Sequence, residues 1–174
     1  MRDIDSFLAE VERRAYKMAY FAVNNRDDAL DVVQEAMMKL VKRYGERSPE
    51  EWPPLFHRIL QNQIQDYYRR SKVRSIIRSW FGGSDEDDQN EETTALAVGP
   101  GPLQQNLNNQ SIQRLDDVIK ELPLRQQQVF LLRAWEGLNV KETAMAMGCS
   151  DGSVKTHYSR AIRRLREELG EHWP

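Results

Sequence analysis

The chain has 174 residues, with 25 Lys+Arg against 27 Asp+Glu and a formal net charge of -2, so overall charge gives no hint of a nucleic-acid partner. The single cysteine, Cys149, excludes an intrachain disulfide and a cysteine metal cluster, and it fits a reducing compartment. No apolar run approaches the length of a membrane span and no apolar signal core follows Met1, which reads as a soluble, cytoplasmic protein.

The first predicted helix runs from Asp5 to about Val23. Phe7, Leu8, Val11, Ala15, Met18, Ala19 and Ala22 form an apolar stripe opposite mixed charges, as a core-facing helix requires. After a break at Asn24 to Asp28, with Asp27 as a plausible cap, a second helix runs from Asp28 to about Arg43. Ala29, Leu30, Val33, Ala36, Met37, Leu40 and Val41 can face the first helix, leaving Asp31, Gln34, Glu35 and Lys39 on the polar side. Glu46 to Pro54 reads as a proline-rich loop, with Trp52 packed against the helices. Leu55 to Arg70 is the third helix, with Phe56, Ile59, Leu60, Ile64 and Tyr67 or Tyr68 toward the core. Its pattern continues to Phe81. Arg69, Arg70, Lys72, Arg74 and Arg78 make a basic stripe beside Tyr67, Tyr68 and Trp80, a mixture that offers planes for bases and charges for phosphates. Core packing of the aromatics, with solubilising bases, is the plainer reading of the same pattern.

Three or four helices in residues 1–80 would make one small domain. Residues 81–110 then read as a flexible linker: Gly82-Gly83, six acids without a base from Asp85 to Glu92, and G-P-G-P at Gly99 to Pro102. Residues 111–174 form a second helical domain. A helix from about Ser111 to Glu121 stops before Pro123, and another runs from Leu124 or Arg125 to Trp135. Val140 to Met147 and Asp151 to Leu169 then meet at Gly148-Cys149-Ser150. Gly148 can take the positive φ that closes the first of these, and Ser150 or Asp151 can cap the second. Short helix, glycine turn, longer helix is a helix-turn-helix. Its second helix exposes Ser153, Lys155, Thr156, His157 and Ser159 at the front, groups that reach base edges. Arg160, Arg163, Arg164 and Arg166 follow, suited to phosphates. Cys149 in the turn is expected to pack inward.

His57, His157 and His172 lie far apart with no spaced carboxylates or thiols, and no serine elbow or phosphate loop occurs. The chain reads as a binding protein: no enzyme, no metal, no cofactor, no small-molecule substrate. The fold class is all-α, two small helical domains joined by an acidic linker.

Three blocks resemble the extracytoplasmic-function sigma factors of the sigma-seventy family. D-V-V-Q-E at Asp31 to Glu35 is similar to the family's D-L-V-Q-E. The run from Phe56 to Arg70 resembles R-I-A-x-N-x-x-x-D-x-x-R-R through Arg58, Ile59, Asn62, Asp66, Arg69 and Arg70. Leu122 to Leu169 resembles the promoter-reading C-terminal region. The resemblance implies a sigma-2-like bundle and a sigma-4-like helix-turn-helix. It implies that Asp31, Val32, Gln34 and Glu35 dock on the β′ clamp helices of core RNA polymerase. Asn62, Asp66, Tyr67, Arg69, Arg70 and Lys72 would engage the minus-ten element, with the loop from Arg47 to Pro54 near its unstacked strand. Ser153, Lys155, Thr156, His157, Arg160, Arg163 and Arg164 would engage the minus-thirty-five element, while their domain binds the β flap. An anti-sigma factor is the further implied partner. In this sequence Trp52 precedes P-P-L-F where the family more often has W-L-x-R-I. The competing reading is a helix-turn-helix regulator that acts by operator binding. In the sigma reading, two small domains on a loose linker carry an ordering cost until polymerase fixes their spacing.

Overall fold

The computed structural model describes residues 3–81 and 102–170. All regular structure among them is helical: α1 (Ile4–Val23), α2 (Arg26–Tyr44), α3 (Trp52–Trp80), α4 (Pro102–Glu121), α5 (Leu124–Phe130), α6 (Val140–Met147) and α7 (Asp151–Leu169), with a π turn at Leu131–Trp135 after α5. The acidic stretch from Asp85 to Glu92 lies outside the described residues.

Local chemistry sets the ends. Asp3 caps α1 by accepting from the Ser6 amide, and Asn24 ends it in the left-handed region at φ 52°. The cap of α2 is Asn25, not Asp27: the Asn25 side chain accepts from the Asp28 amide, and Asp27 and Asp28 occupy the first turn. There they meet the positive end of the helix dipole, as Lys42 and Arg43 meet its negative end. Helix α3 begins at Trp52, before the expected Leu55. Pro53 and Pro54 lie inside its first turn, where the missing amide hydrogens have no helical acceptor to lose.

Helices α1, α2 and the first half of α3 share one core. Phe56 is 0% exposed, with Phe7 edge-on at 6.0 Å between ring centroids. Trp52 packs inside, as anticipated, 4% exposed, and its Nε1 donates to the Tyr44 carbonyl at 3.0 Å. On α2 the buried set is Ala29, Val32, Val33, Ala36 and Leu40. Leu30 and Val41, expected in the core, face solvent, and Val32 faces inward. Beyond Tyr67, every residue of α3 is exposed, so its second half projects as a single helix.

In the C-terminal half α4 starts at Pro102, ahead of the expected Ser111. The helix expected to run unbroken to Trp135 widens after Phe130, and the Glu136 amide bonds to the Leu131 carbonyl. The wider turn brings Trp135 and Glu136 round to α1. Asn139 and Glu142 form a reciprocal capping box on α6, Gly148 closes it at φ 63°, and Ser150 is the cap of α7. Val129, Leu132, Ala144, Met147, Val154, Ala161, Leu165 and Leu169 fill this second core. Cys149 is half-buried against it, and burial raises its thiol pKa.

The two helical clusters pack on each other, α3 against α6 and α1 against α4. Arg14 Nε donates to Glu136 Oε1 at 3.0 Å, and His57 Nε2 lies 3.2 Å from Glu136 Oε2. Lys17 pairs with Asp116 at 3.4 Å, and the Gln127 amide donates to the Phe21 carbonyl at 3.1 Å. Burial pushes the Glu136 carboxyl up, but the hydrogen bond and charge of His57, and then Arg14, outweigh it and leave the pKa below the ordinary 4.5. A carboxyl depressed by folding contributes stability above its unfolded pKa, and that contribution is lost as pH falls through the folded value. The urea midpoint of the wild type should therefore drop more between about pH 7 and about pH 3.5 than that of Glu136→Gln. Parallel pH curves would contradict this.

Candidate polymerase and nucleic-acid surfaces

Three surfaces carry the residues singled out in the sequence. The first is the outer face of α2. Asp31, Gln34 and Glu35 are exposed on it, whereas Val32 is buried and acts on this face only by seating α2 in the core. Lys39 reaches Glu35 at 2.9 Å, and its hydrogen bond lowers the Glu35 pKa despite slight desolvation. Leu30, Met38 and Val41 are exposed around these polar groups, Met38 72% so. Sequence reasoning missed them as surface. The available signal was spacing, since Met38 lies one turn beyond Gln34 and Glu35 on the polar side.

The second surface follows α3. Asn62, Arg69, Arg70 and Lys72 are exposed and Asp66 is half-buried, with Arg69 3.4 Å from it. Tyr67 has a different task from an open stacking plane. Its hydroxyl donates to Asp28 Oδ2 at 2.7 Å, bracing α3 on α2, and burial together with that carboxylate raises its pKa to about 12. Tyr68 is the exposed ring next to it, and Trp80 is 79% exposed at the far end of the stripe. In the loop before α3, Glu51 accepts from the Ser48 amide and hydroxyl and pairs with Arg47 at 3.5 Å.

The third surface is α7. Lys155, Thr156, Arg160, Arg163 and Arg164 are exposed, while Ser153 and His157 are half-buried. Ser153 is engaged at the helix start, where its amide and hydroxyl both meet the Ser150 hydroxyl. Burial lowers the His157 pKa, and Arg125 and Arg160 push it further, which favours the neutral ring. A neutral imidazole can donate through one nitrogen and accept through the other, which suits a base edge better than a phosphate. Val154, Ala161 and Leu165 hold the opposite face of α7 against α5 and α6, fixing which side chains point outward.

Among the described residues no group of three His, Cys, Asp or Glu side chains could hold a metal ion, and no helix is long and apolar enough to cross a membrane.

Residues 4–74 match the family model for sigma-70 region 2, and residues 112–165 match that for sigma-70 region 4. The RNA polymerase sigma factor SigV of Bacillus subtilis is 30% identical over 155 residues, covering 88% of this chain and 83% of that protein. The chain belongs to the sigma-70 family. An RNA polymerase sigma-E factor of Streptomyces coelicolor is also 30% identical, over 82% of this sigma factor and 72% of its relative. Two solved structures share the fold. The sigma factor RpoE of Bartonella quintana, in complex with the anti-sigma factor NepR, has a TM-score of 0.63 at 23% identity and covers 94% of this chain and 96% of that one. CnrH, in complex with the cytosolic domain of CnrY, has a TM-score of 0.62 at 17% identity, with 97% and 88% covered. This sigma factor is of the extracytoplasmic-function group, a non-catalytic subunit that directs RNA polymerase to promoters, and operator binding as a free regulator is set aside.

Proposed function

We propose that this sigma factor divides its work among the three surfaces. Asp31, Gln34 and Glu35, framed by Leu30, Met38 and Val41, dock on the β′ clamp helices of core polymerase, with Val32 beneath them as a seat. Exposed apolar area around a few charges is the composition of a binding patch rather than of a merely solvated helix. Asn62, Asp66, Arg69, Arg70 and Lys72 engage the minus-ten element, helped by Tyr68 and positioned by the Tyr67 brace. Bases leaving the stack there need flat partners and cations, and this half of α3 offers both.

The reading of the minus-thirty-five element rests on one observation above others: α7 starts at a capped turn, buries Val154, Ala161 and Leu165, and turns Lys155, Thr156 and Arg160 to solvent. With His157 and Ser153 at its edge, that front enters the major groove, while Arg163 and Arg164 follow the phosphates. The domains in this reading are residues 1–80 for core polymerase and the minus-ten element and 111–174 for the minus-thirty-five element and the β flap, with 81–110 between them. By analogy with the complex of RpoE with the anti-sigma factor NepR, an anti-sigma factor holds the chain in reserve in the cytoplasm.

Arg160→Ala tests the α7 assignment. Loss of one side chain at a base or adjacent phosphate is worth about 1–3 kcal/mol, so initiation at a cognate promoter should fall roughly five- to 150-fold. Affinity for core polymerase should be unchanged. Equal loss of both would place Arg160 in the fold or the polymerase interface instead.

A further inference from the structure

The projecting end of α3 has an apolar face that no described residue covers. Val73, Ile76, Ile77, Trp80 and the capping Phe81 are between 44% and 84% exposed. At about 100° per residue they fall within an arc of about 140°. Lys72 borders this arc on one side, Arg74 and Arg78 border it on the other, and Ser71, Ser75 and Ser79 form the back of the helix. With Arg69 and Arg70 at its start, the stretch of residues 69–81 carries five bases and no acid.

None of the three surfaces uses this face. Nucleic acid takes flat rings and cations, which suits Tyr68 and the bases, but Val73, Ile76 and Ile77 offer no stacking plane. The first half of the same helix buries its apolar residues, with Phe56, Leu60 and Ile64 at 2% exposure or less. The second half leaves them in water, which marks an interaction surface. Charge narrows the choice of partner. On α1, Glu10 and Glu12 stand beside Arg13 and Arg14, and α7 ends in Glu167 and Glu168. Residues 69–81 are of one sign. A second copy of the face would set one row of bases against another, at a Coulomb cost. An apolar arc with cationic margins instead matches a helix lying in a lipid interface. There the apolar side chains enter the acyl boundary, and a cluster of about four to eight bases meets anionic headgroups. Trp80 stands at the end of the arc, and an indole settles at headgroup level. The stretch is about 20 Å long at 1.5 Å per residue, enough to lie along a bilayer and too short to cross one.

We propose that residues 69–81 dock this sigma factor on an anionic lipid bilayer, with Val73, Ile76, Ile77, Trp80 and Phe81 inserted and the flanking bases on the headgroups. This goes beyond polymerase and promoter binding, and it stands on a face that those activities leave free.

The test is sedimentation of the full chain with vesicles at about 0.15 M salt. Vesicles of phosphatidylcholine with about one third phosphatidylglycerol should bind the parent, and phosphatidylcholine alone should bind it far less. The triple variant Ile77→Gln, Trp80→Gln, Phe81→Gln keeps every charge and a good helix former at each position, and its partitioning should fall roughly tenfold or more. Arg74→Gln with Arg78→Gln should lower partitioning roughly ten- to thirtyfold. All these side chains are exposed, so circular dichroism of each variant should match the parent. A polarity-sensitive dye on Val73→Cys, in a Cys149→Ser background, should brighten on the anionic vesicles, and the same dye on Glu12→Cys in α1 should not. Absence of vesicle binding overturns the proposal. So does full binding by the triple variant, which would mean charge attraction alone, or a dye at position 73 that stays in water. A parent dimer that the triple variant abolishes would also overturn it, by assigning the face to a second copy of the chain.

Discussion

Phe56→Ala is expected to destabilise the N-terminal helical bundle by about 3–5 kcal/mol, the range for emptying an aromatic site in a packed core. The residue is fully buried, its ring meets Phe7 edge-on at 6.0 Å, and it sits one turn inside the start of α3. The collapse available to the site is small, because Leu40, Leu60 and Trp52 are themselves buried and constrained. A loss of this size is a large part of the roughly 5–15 kcal/mol that holds a domain folded. Urea denaturation followed by far-ultraviolet circular dichroism measures it directly. A cost under about 1 kcal/mol would mean that the three helices do not share the core described.

The double charge reversal Asp31→Lys with Glu35→Lys should act on binding and hardly on folding. Both side chains are exposed, and the pairing of Glu35 with Lys39 is an exposed i,i+4 pair. Losing it and introducing repulsion costs about 0.5 kcal/mol or less. At an interface the same change removes two anions and presents two cations to a surface selected by the opposite charge. A loss of about 2–4 kcal/mol in affinity for core polymerase, roughly thirtyfold to a thousandfold, is the expected result. It is read by competition binding against a fixed amount of labelled parent. The Arg160→Ala variant should show the reverse pattern, and the pair of variants separates the two surfaces without assuming either. Unaltered polymerase affinity in the charge-reversed protein would move the docking surface elsewhere.

Much of this was legible in the sequence where local chemistry alone decides. The turn between α6 and α7 needs a residue tolerant of positive φ followed by a cap, and Gly148 and Ser150 supply them in that order. The exposed acids of α2 and the arginines of α7 fell where helical spacing put them. Misreadings arose where two interpretations share one pattern. Trp52-Pro53-Pro54 reads as loop because proline breaks helices, yet proline is also at home in a first turn. The neighbours Leu30, Val32, Val33 and Val41 are all apolar, and only contact with α1 and α3 decides that Val32 goes in while Leu30 and Val41 stay out. Tyr67 reads equally from the pattern as a core ring or as a ring beside nucleic acid. Asp28, distant in sequence but 2.7 Å from its hydroxyl, makes it a brace. The π turn at Leu131–Trp135 and the seam through Glu136 left no periodic signal, because both arise from packing between the helical clusters. Glutamines at buried positions look like surface in any hydropathy pattern.

The central claim is that this chain recruits polymerase to two-part promoters. Purified chain should be combined with core RNA polymerase free of any other sigma factor and a fragmented genomic library, and the transcript starts mapped. Starts clustered downstream of one shared two-part sequence, lost with the Asp31→Lys, Glu35→Lys protein, are the predicted result. A stable complex with core polymerase that yields no clustered starts would contradict the account.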